Sequence, residues 1–132
     1  MKEKKKEKQD YKGFPYEYYP EYSAIVIDEY NKGDEVARVV RASTYTELIG
    51  HLRPEILVVK NNSETDFLTP FFKTFLRSYL FKDMLEYGIK RVFFILSEEE
   101  YEIAKTFKDK PDYVTHCRSM DEVIAALEKE KK

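Results

Sequence analysis

The chain has 132 residues, 42% of them hydrophobic and 36% charged, a make-up that fits one globular domain and excludes a fully disordered chain. A net charge of −2 and a sequence pI of about 5.8 lack the basic footprint of a nucleic-acid binder. Cys117 is the one cysteine and cannot close an internal disulfide. No apolar run approaches the ~18 residues of a membrane span, and the lysine-rich start has no apolar h-region, so the expected compartment is the cytoplasm.

Met1 to Asp10, with five lysines and three acids, reads as a solvated tail. Tyr11 to Tyr22 is rich in Tyr, Phe and Pro. Together they form an expected N-terminal arm, residues 1–22, partly disordered and set apart from a single domain over 23–132. Pro15 and Pro20 argue against a central strand. Tyr16–Tyr19 is read as a short edge strand or an arm laid over the body, able to join a second copy in a homodimer.

Ala24 to Tyr30 (AIVIDEY) is a strand, being β-branched and free of Gly and Pro. Asn31-Lys32-Gly33-Asp34 is turn chemistry, and Glu35 to Ala42 (EVARVVRA) returns with valines, so the pair reads as a β-hairpin. A helix from Asp34 is the rival, because Val36, Val39 and Val40 also fit helical spacing.

Four helix starts follow. Thr44 with Glu47, Ser97 with Glu100 and Ser119 with Glu122 each have the spacing of a capping box, in which hydroxyl and carboxylate satisfy each other's backbone N–H. Thr69 precedes Pro70, a proline at the first helical position where no donor is lost. Each cap stabilises by roughly 0.5–2 kcal/mol. The helix predicted over Pro70–Tyr87 places Phe71, Phe72, Phe75, Leu76, Tyr79 and Leu80 on one face, and Gly88 suits a left-handed terminus. The last helix, from Met120 to about Lys129, carries Val123, Ile124 and Leu127 on one stripe.

Between the helices, Glu55–Lys60 (EILVVK) and Arg91–Leu96 (RVFFIL) are nearly continuous apolar runs, as strands covered on both faces require. Tyr113–Cys117 (YVTHC) is a weaker third. Strands joined through helices are parallel. The expected fold is therefore α/β, with a mixed, mainly parallel sheet covered by about four helices.

Chemistry-bearing motifs are sparse. The four glycines form no G-x-G-x-x-G or Walker pattern, so no nucleotide cofactor is expected. His116 and Cys117 are strand neighbours and face opposite ways, so they do not share a metal, and His51 lies in a helix. Glu98, Glu99 and Glu100 complement a helix dipole. A receiver-type phospho-aspartate site is excluded because Asp28 and Glu29 are answered by Lys60-Asn61-Asn62 rather than by a second acidic strand end. No nucleophile, base or metal set assembles, which predicts a non-enzymatic protein. The loop Asn61-Asn62-Ser63-Glu64-Thr65-Asp66 follows the carboxyl end of a buried strand, where open α/β sheets bind their ligands. A phosphate on Ser63 or Thr65 there meets the positive end of the next helix.

Three stretches, EILVVKNN, EYGIKRVFFILSEEEYEIAKTF and YVTHCRSMDEVIAAL, together with the element order, resemble a STAS domain in its divergent stand-alone bacterial form, over about Ala24 to Lys129. The resemblance implies an anti-sigma-factor-antagonist-like regulatory module whose partner is another protein of the kinase-like anti-sigma-factor type. It makes Asn61, Asn62, Ser63, Glu64, Thr65 and Asp66 a phosphoacceptor or partner-binding loop, with Lys73, Arg77 and Lys82 on the partner-facing helix. Ser63 is the closest match to the family's phosphoacceptor. The family's Asp-Ser-Ser/Thr-Gly-like loop is Asn62-Ser63-Glu64-Thr65 here, without the glycine, and Glu64 and Asp66 would repel a phosphate. The alternative is a carrier of a small apolar ligand or lipid, held between the long aromatic helix and the sheet.

Overall fold

Residues 7–29, 35–61, 81–106 and 112–130 are described by the computed structural model. Six strands form one sheet in strictly sequential order: β1 (Glu7–Tyr11), β2 (Phe14–Tyr19), β3 (Ala24–Glu29), β4 (Ile56–Asn61), β5 (Arg91–Ile95) and β6 (Val114–Cys117). β1 and β3 each pair antiparallel with β2, whereas β3, β4, β5 and β6 run parallel. The described helices are α1 (Glu35–Leu52), α2 (Phe81–Glu86), α3 (Glu98–Ala104) and α4 (Met120–Glu130). The fold is the expected α/β class with a mixed, mainly parallel sheet.

Strict alternation along the strands divides the core in two. Ile25, Ile27, Leu57, Val59, Val92, Phe94 and Val114 face one way, and Tyr45, Leu48 and Ile49 of α1, Met84 of α2 and Ala104 of α3 pack on them. Ala24, Val26, Ile56, Val58, Phe93 and Cys117 face the other way and meet Val123 and Leu127 of α4. The crossovers step in one direction across the sheet. Crossovers of one hand must then all fall on one face, which leaves the second face to the helix that follows β6.

The expected hairpin of 24–30 with 35–42 is not formed. Residues 35–42 are the first turns of α1, and β3 lies between β2 and β4. Valine disfavours a helix by at most ~0.7 kcal/mol per residue, a small cost beside the burial of Tyr45, Leu48 and Ile49 at i, i+3, i+4. Thr44 is consequently interior to α1 rather than its cap; its hydroxyl donates to the Val40 carbonyl one turn back. Glu47, expected to close that cap, instead accepts from the Tyr11 hydroxyl and from Lys12.

The antiparallel part of the sheet comes from the N-terminal arm, whose segments Glu7–Tyr11 and Phe14–Tyr19 join β3 in one sheet. Residues 7–10, read as tail, belong to β1, and β2 is flanked on both sides despite Pro15. Lys12 (φ 50°) and Gly13 (φ 89°) make a two-residue turn of the type that fits strand twist. That turn makes Tyr11 and Phe14 exchange hydrogen bonds, so Asp10 opposite Pro15 is a pair that exchanges none. On its other side the ladder to β3 begins at Tyr16, so no N–H is required of Pro15. The Pro15 carbonyl accepts from the buried Tyr45 hydroxyl at 3.1 Å.

Two predicted termini have the expected geometry. Gly88 is left-handed (φ 106°) after α2; its N–H reaches the Leu85 carbonyl, while that of Ile89 reaches the Met84 carbonyl, and both Met84 and Ile89 are core residues. Ser97 and Glu100 form the full reciprocal capping box at α3. The Thr69-Pro70 start and the aromatic face of 71–80 lie outside the described residues.

Candidate functional site

Parallel sheets bind ligands at the carboxyl ends of their strands because side chains and helix starts converge there without interrupting the ladder. In this chain the ends in question are those of β3 to β6. Their sequential order sets them side by side, with Asn61, the last residue of β4, opposite Glu29 of β3. β4 is the buried strand expected: Ile56, Leu57, Val58 and Val59 are all buried. Asn62, Ser63, Glu64, Thr65 and Asp66 lie outside the described residues, as do Lys73 and Arg77. Lys82 is exposed on α2. Leu85, three residues on and on the same side of the helix, is 43% exposed. The space proposed for an apolar ligand, against the helix over 70–87, also falls largely outside the described residues.

The described part of this edge is a polar cluster around the ends of β5 and β6. Ser97 ends the segment after β5 and starts α3; Arg118 and Ser119 connect β6 to α4. Arg118 was not singled out from the sequence, although it directly follows a strand and stands four residues before Glu122, a spacing at which opposite charges meet on a helix start. The Glu122 carboxylate accepts from the Arg118 backbone N–H at 2.8 Å and from its guanidinium at 2.8 and 3.0 Å. Glu98 lies 3.8 Å from the same guanidinium, which also stacks 4.9 Å from the centroid of Tyr101. The box predicted at Ser119 is therefore half formed. Ser119 Oγ accepts from the Glu122 N–H, while the Glu122 side chain turns to Arg118 rather than to the Ser119 N–H.

These contacts, first the Arg118 backbone N–H and then its guanidinium, hold the Glu122 carboxyl below the usual carboxylate range. The same pairing holds Arg118 above its ordinary value, chiefly through the hydrogen bond to Glu122. A lowered folded pKa stabilises the fold above the unfolded value of about 4.3, and the contribution disappears as pH falls through the lowered one. Thermal midpoints recorded from pH 6 down to pH 2.5 are therefore expected to fall more steeply below pH 4 for the parent chain than for Glu122→Gln. Parallel curves would remove the carboxylate from the acid response.

Cys117 and His116 face opposite ways, as strand alternation requires. Cys117 packs in the α4 cluster, and His116 lies 6.1 Å from Phe94 on the other face. Burial, with a smaller push from Glu122, raises the Cys117 thiol to about 11, so it is protonated near neutral pH and supplies no thiolate nucleophile. His51 is exposed on α1, with its ring 6.2 Å from Tyr11. Among the described residues no three His, Cys, Asp or Glu side chains gather as a metal site would require, and no helix is long and apolar enough to cross a membrane. Comparison with family models, curated proteins and solved structures finds no match.

Proposed function

We propose that the chain is a non-enzymatic regulatory module of the anti-sigma-factor-antagonist kind, which docks another protein at the carboxyl edge of β4–β6. One observation carries this reading: β3, β4, β5 and β6 are hydrogen-bonded parallel neighbours in chain order, so their carboxyl ends form one continuous row. The loop after Asn61 leaves from the middle of that row. The groups at the ends of β5 and β6 support docking rather than bond chemistry, because Arg118 is paired with Glu122 and Glu98 and the Ser97 hydroxyl serves the first turn of α3. Lys82 and Leu85, an exposed cation and an exposed apolar side chain on α2 where it leads toward the amino end of β5, lie off that row and would extend the proposed surface along the helix.

The partner class proposed is a kinase-like anti-sigma factor, and Ser63 is the proposed phosphoacceptor. Calorimetric titration of the full chain with such a factor from the same genome is expected to show a one-to-one complex. Lys82→Glu should weaken it about tenfold, equivalent to about 1.4 kcal/mol. Incubation with ATP should add one phosphate, mapped by mass spectrometry to Ser63, and Ser63→Glu should abolish the complex. A folded parent chain that neither binds nor accepts phosphate would end this reading.

A further inference from the structure

β1 is an edge strand, and its phase is fixed by the turn beside it. Tyr11 and Phe14 close the Lys12-Gly13 turn as a hydrogen-bonded pair, so the backbone groups of residues 7, 9 and 11 point toward β2. Those of Lys8 and Asp10 point away from the sheet. Among the described residues no strand pairs with that outer side. The hairpin holds the edge in position: the Tyr16 hydroxyl reaches Gln9 at 3.0 Å, and the Gly13 N–H donates to the Asp10 carboxylate at 3.1 Å.

We propose that this edge joins a second copy of the chain, β1 against β1 in antiparallel pairing, with the two-fold axis at Gln9. Lys8 of each copy then stands directly opposite Asp10 of the other, and the two exchange the backbone hydrogen bonds that the sheet leaves unused. Charge selects this register. Because only residues 8 and 10 offer outward groups within the described strand, the competing in-phase registers set lysine against lysine at 8 or aspartate against aspartate at 10. Like charges directly opposed destabilise a strand pair, whereas unlike charges stabilise it. Lysines on an edge ordinarily block such pairing; alternation with an acid on the same edge turns that protection into a self-complementary code. The other edge, β6, is four residues long and carries no acid. The proposed contact lies at the far side of the sheet from the carboxyl ends of β5 and β6, so it stands or falls separately from the docking reading.

The test is the mass of the full chain by sedimentation equilibrium, from micromolar to submillimolar concentration, with circular dichroism to verify the fold. The parent chain is expected to dimerise, more weakly as salt screens the charge pairs. Lys8→Asp opposes acid to acid, and Asp10→Lys opposes lysine to lysine; each is expected to raise the dimer dissociation constant at least tenfold. Mixing the two variants restores unlike pairs throughout, and native mass spectrometry should then show the heterodimer in preference to either homodimer. Lys8→Pro removes an outward N–H without touching the bonds to β2, and is expected to give a monomer. A monomeric parent chain, or a dimer unchanged by both Lys8→Asp and Lys8→Pro, would overturn the proposal.

Discussion

Replacing Phe93 with alanine is expected to lower the unfolding free energy by about 3–5 kcal/mol, the cost of removing a large aromatic side chain from a packed interior. Phe93 is fully buried in β5, opposite Val58 of β4 and Thr115 of β6, and it belongs to the cluster that α4 covers. The Arg91 guanidinium lies 5.0 Å from its ring centroid while bonding Glu130 and, at 2.8 Å, the Thr115 hydroxyl. Truncation therefore opens a cavity and removes the surface on which a helix-anchoring arginine rests. A domain of this size is stable by only about 5–15 kcal/mol, so the loss is a large share of the whole. Urea titration followed by circular dichroism should show a lower midpoint with unchanged slope, and Phe93→Leu should lose less than about 1.5 kcal/mol. Equal losses for the two variants would mean that the ring is not packed as described.

The parts of the fold legible in the sequence are those whose signal is local and chemically specific. EILVVK and RVFFIL are nearly continuous apolar runs, as strands covered on both faces require, and they supply β4 and β5. Ser97 with Glu100, and Gly88 after a helix, are short-range devices whose bonds form within one turn, and among the described residues no competing partner draws them away. The errors lie where tertiary context decides. Glu35–Ala42 has strand-like composition, but it continues into residues whose apolar face packs on the sheet, and α1 takes it in. Thr44 has the spacing of a cap yet sits mid-helix, because spacing alone does not reveal whether the helix has already begun. Pro15 argues against a central strand, yet it is tolerated because its phase exchanges no bonds with β1 and the ladder to β3 begins only at Tyr16. The turn Lys12-Gly13 between alternating aromatic residues was the available signal for the first hairpin. At the candidate site, the end of β4 was legible as the end of a buried apolar run. Arg118 was not, since its partners Glu98 and Tyr101 come from another element and only Glu122 is local.

Val123→Asp is expected to destabilise the chain by roughly 4 kcal/mol or more, because it places a carboxylate in an apolar layer. Val123 is fully buried. Among the described helices only α4 covers the second face of the sheet, where Val26, Val58, Phe93 and Cys117 are buried with it. Its remaining anchors are Leu127 in the same cluster and the polar contacts Tyr22 to Glu128 and Arg91 to Glu130 near its far end, which leave the site of Val123 itself uncovered. The pH dependence has a definite sign. Burial raises the folded pKa of the introduced carboxyl above its unfolded value of about 3.9, so the defect is smallest at low pH and grows as pH rises through the folded value. Ala125→Asp, on the exposed side of the same helix, is the matched control and should change stability by no more than about 0.5 kcal/mol. Compared with that control, Val123→Asp should recover part of its loss near pH 4, and near pH 7 it should bind a hydrophobic dye through the uncovered sheet face. If the two variants behaved alike at every pH, α4 could not be seated on that face by Val123.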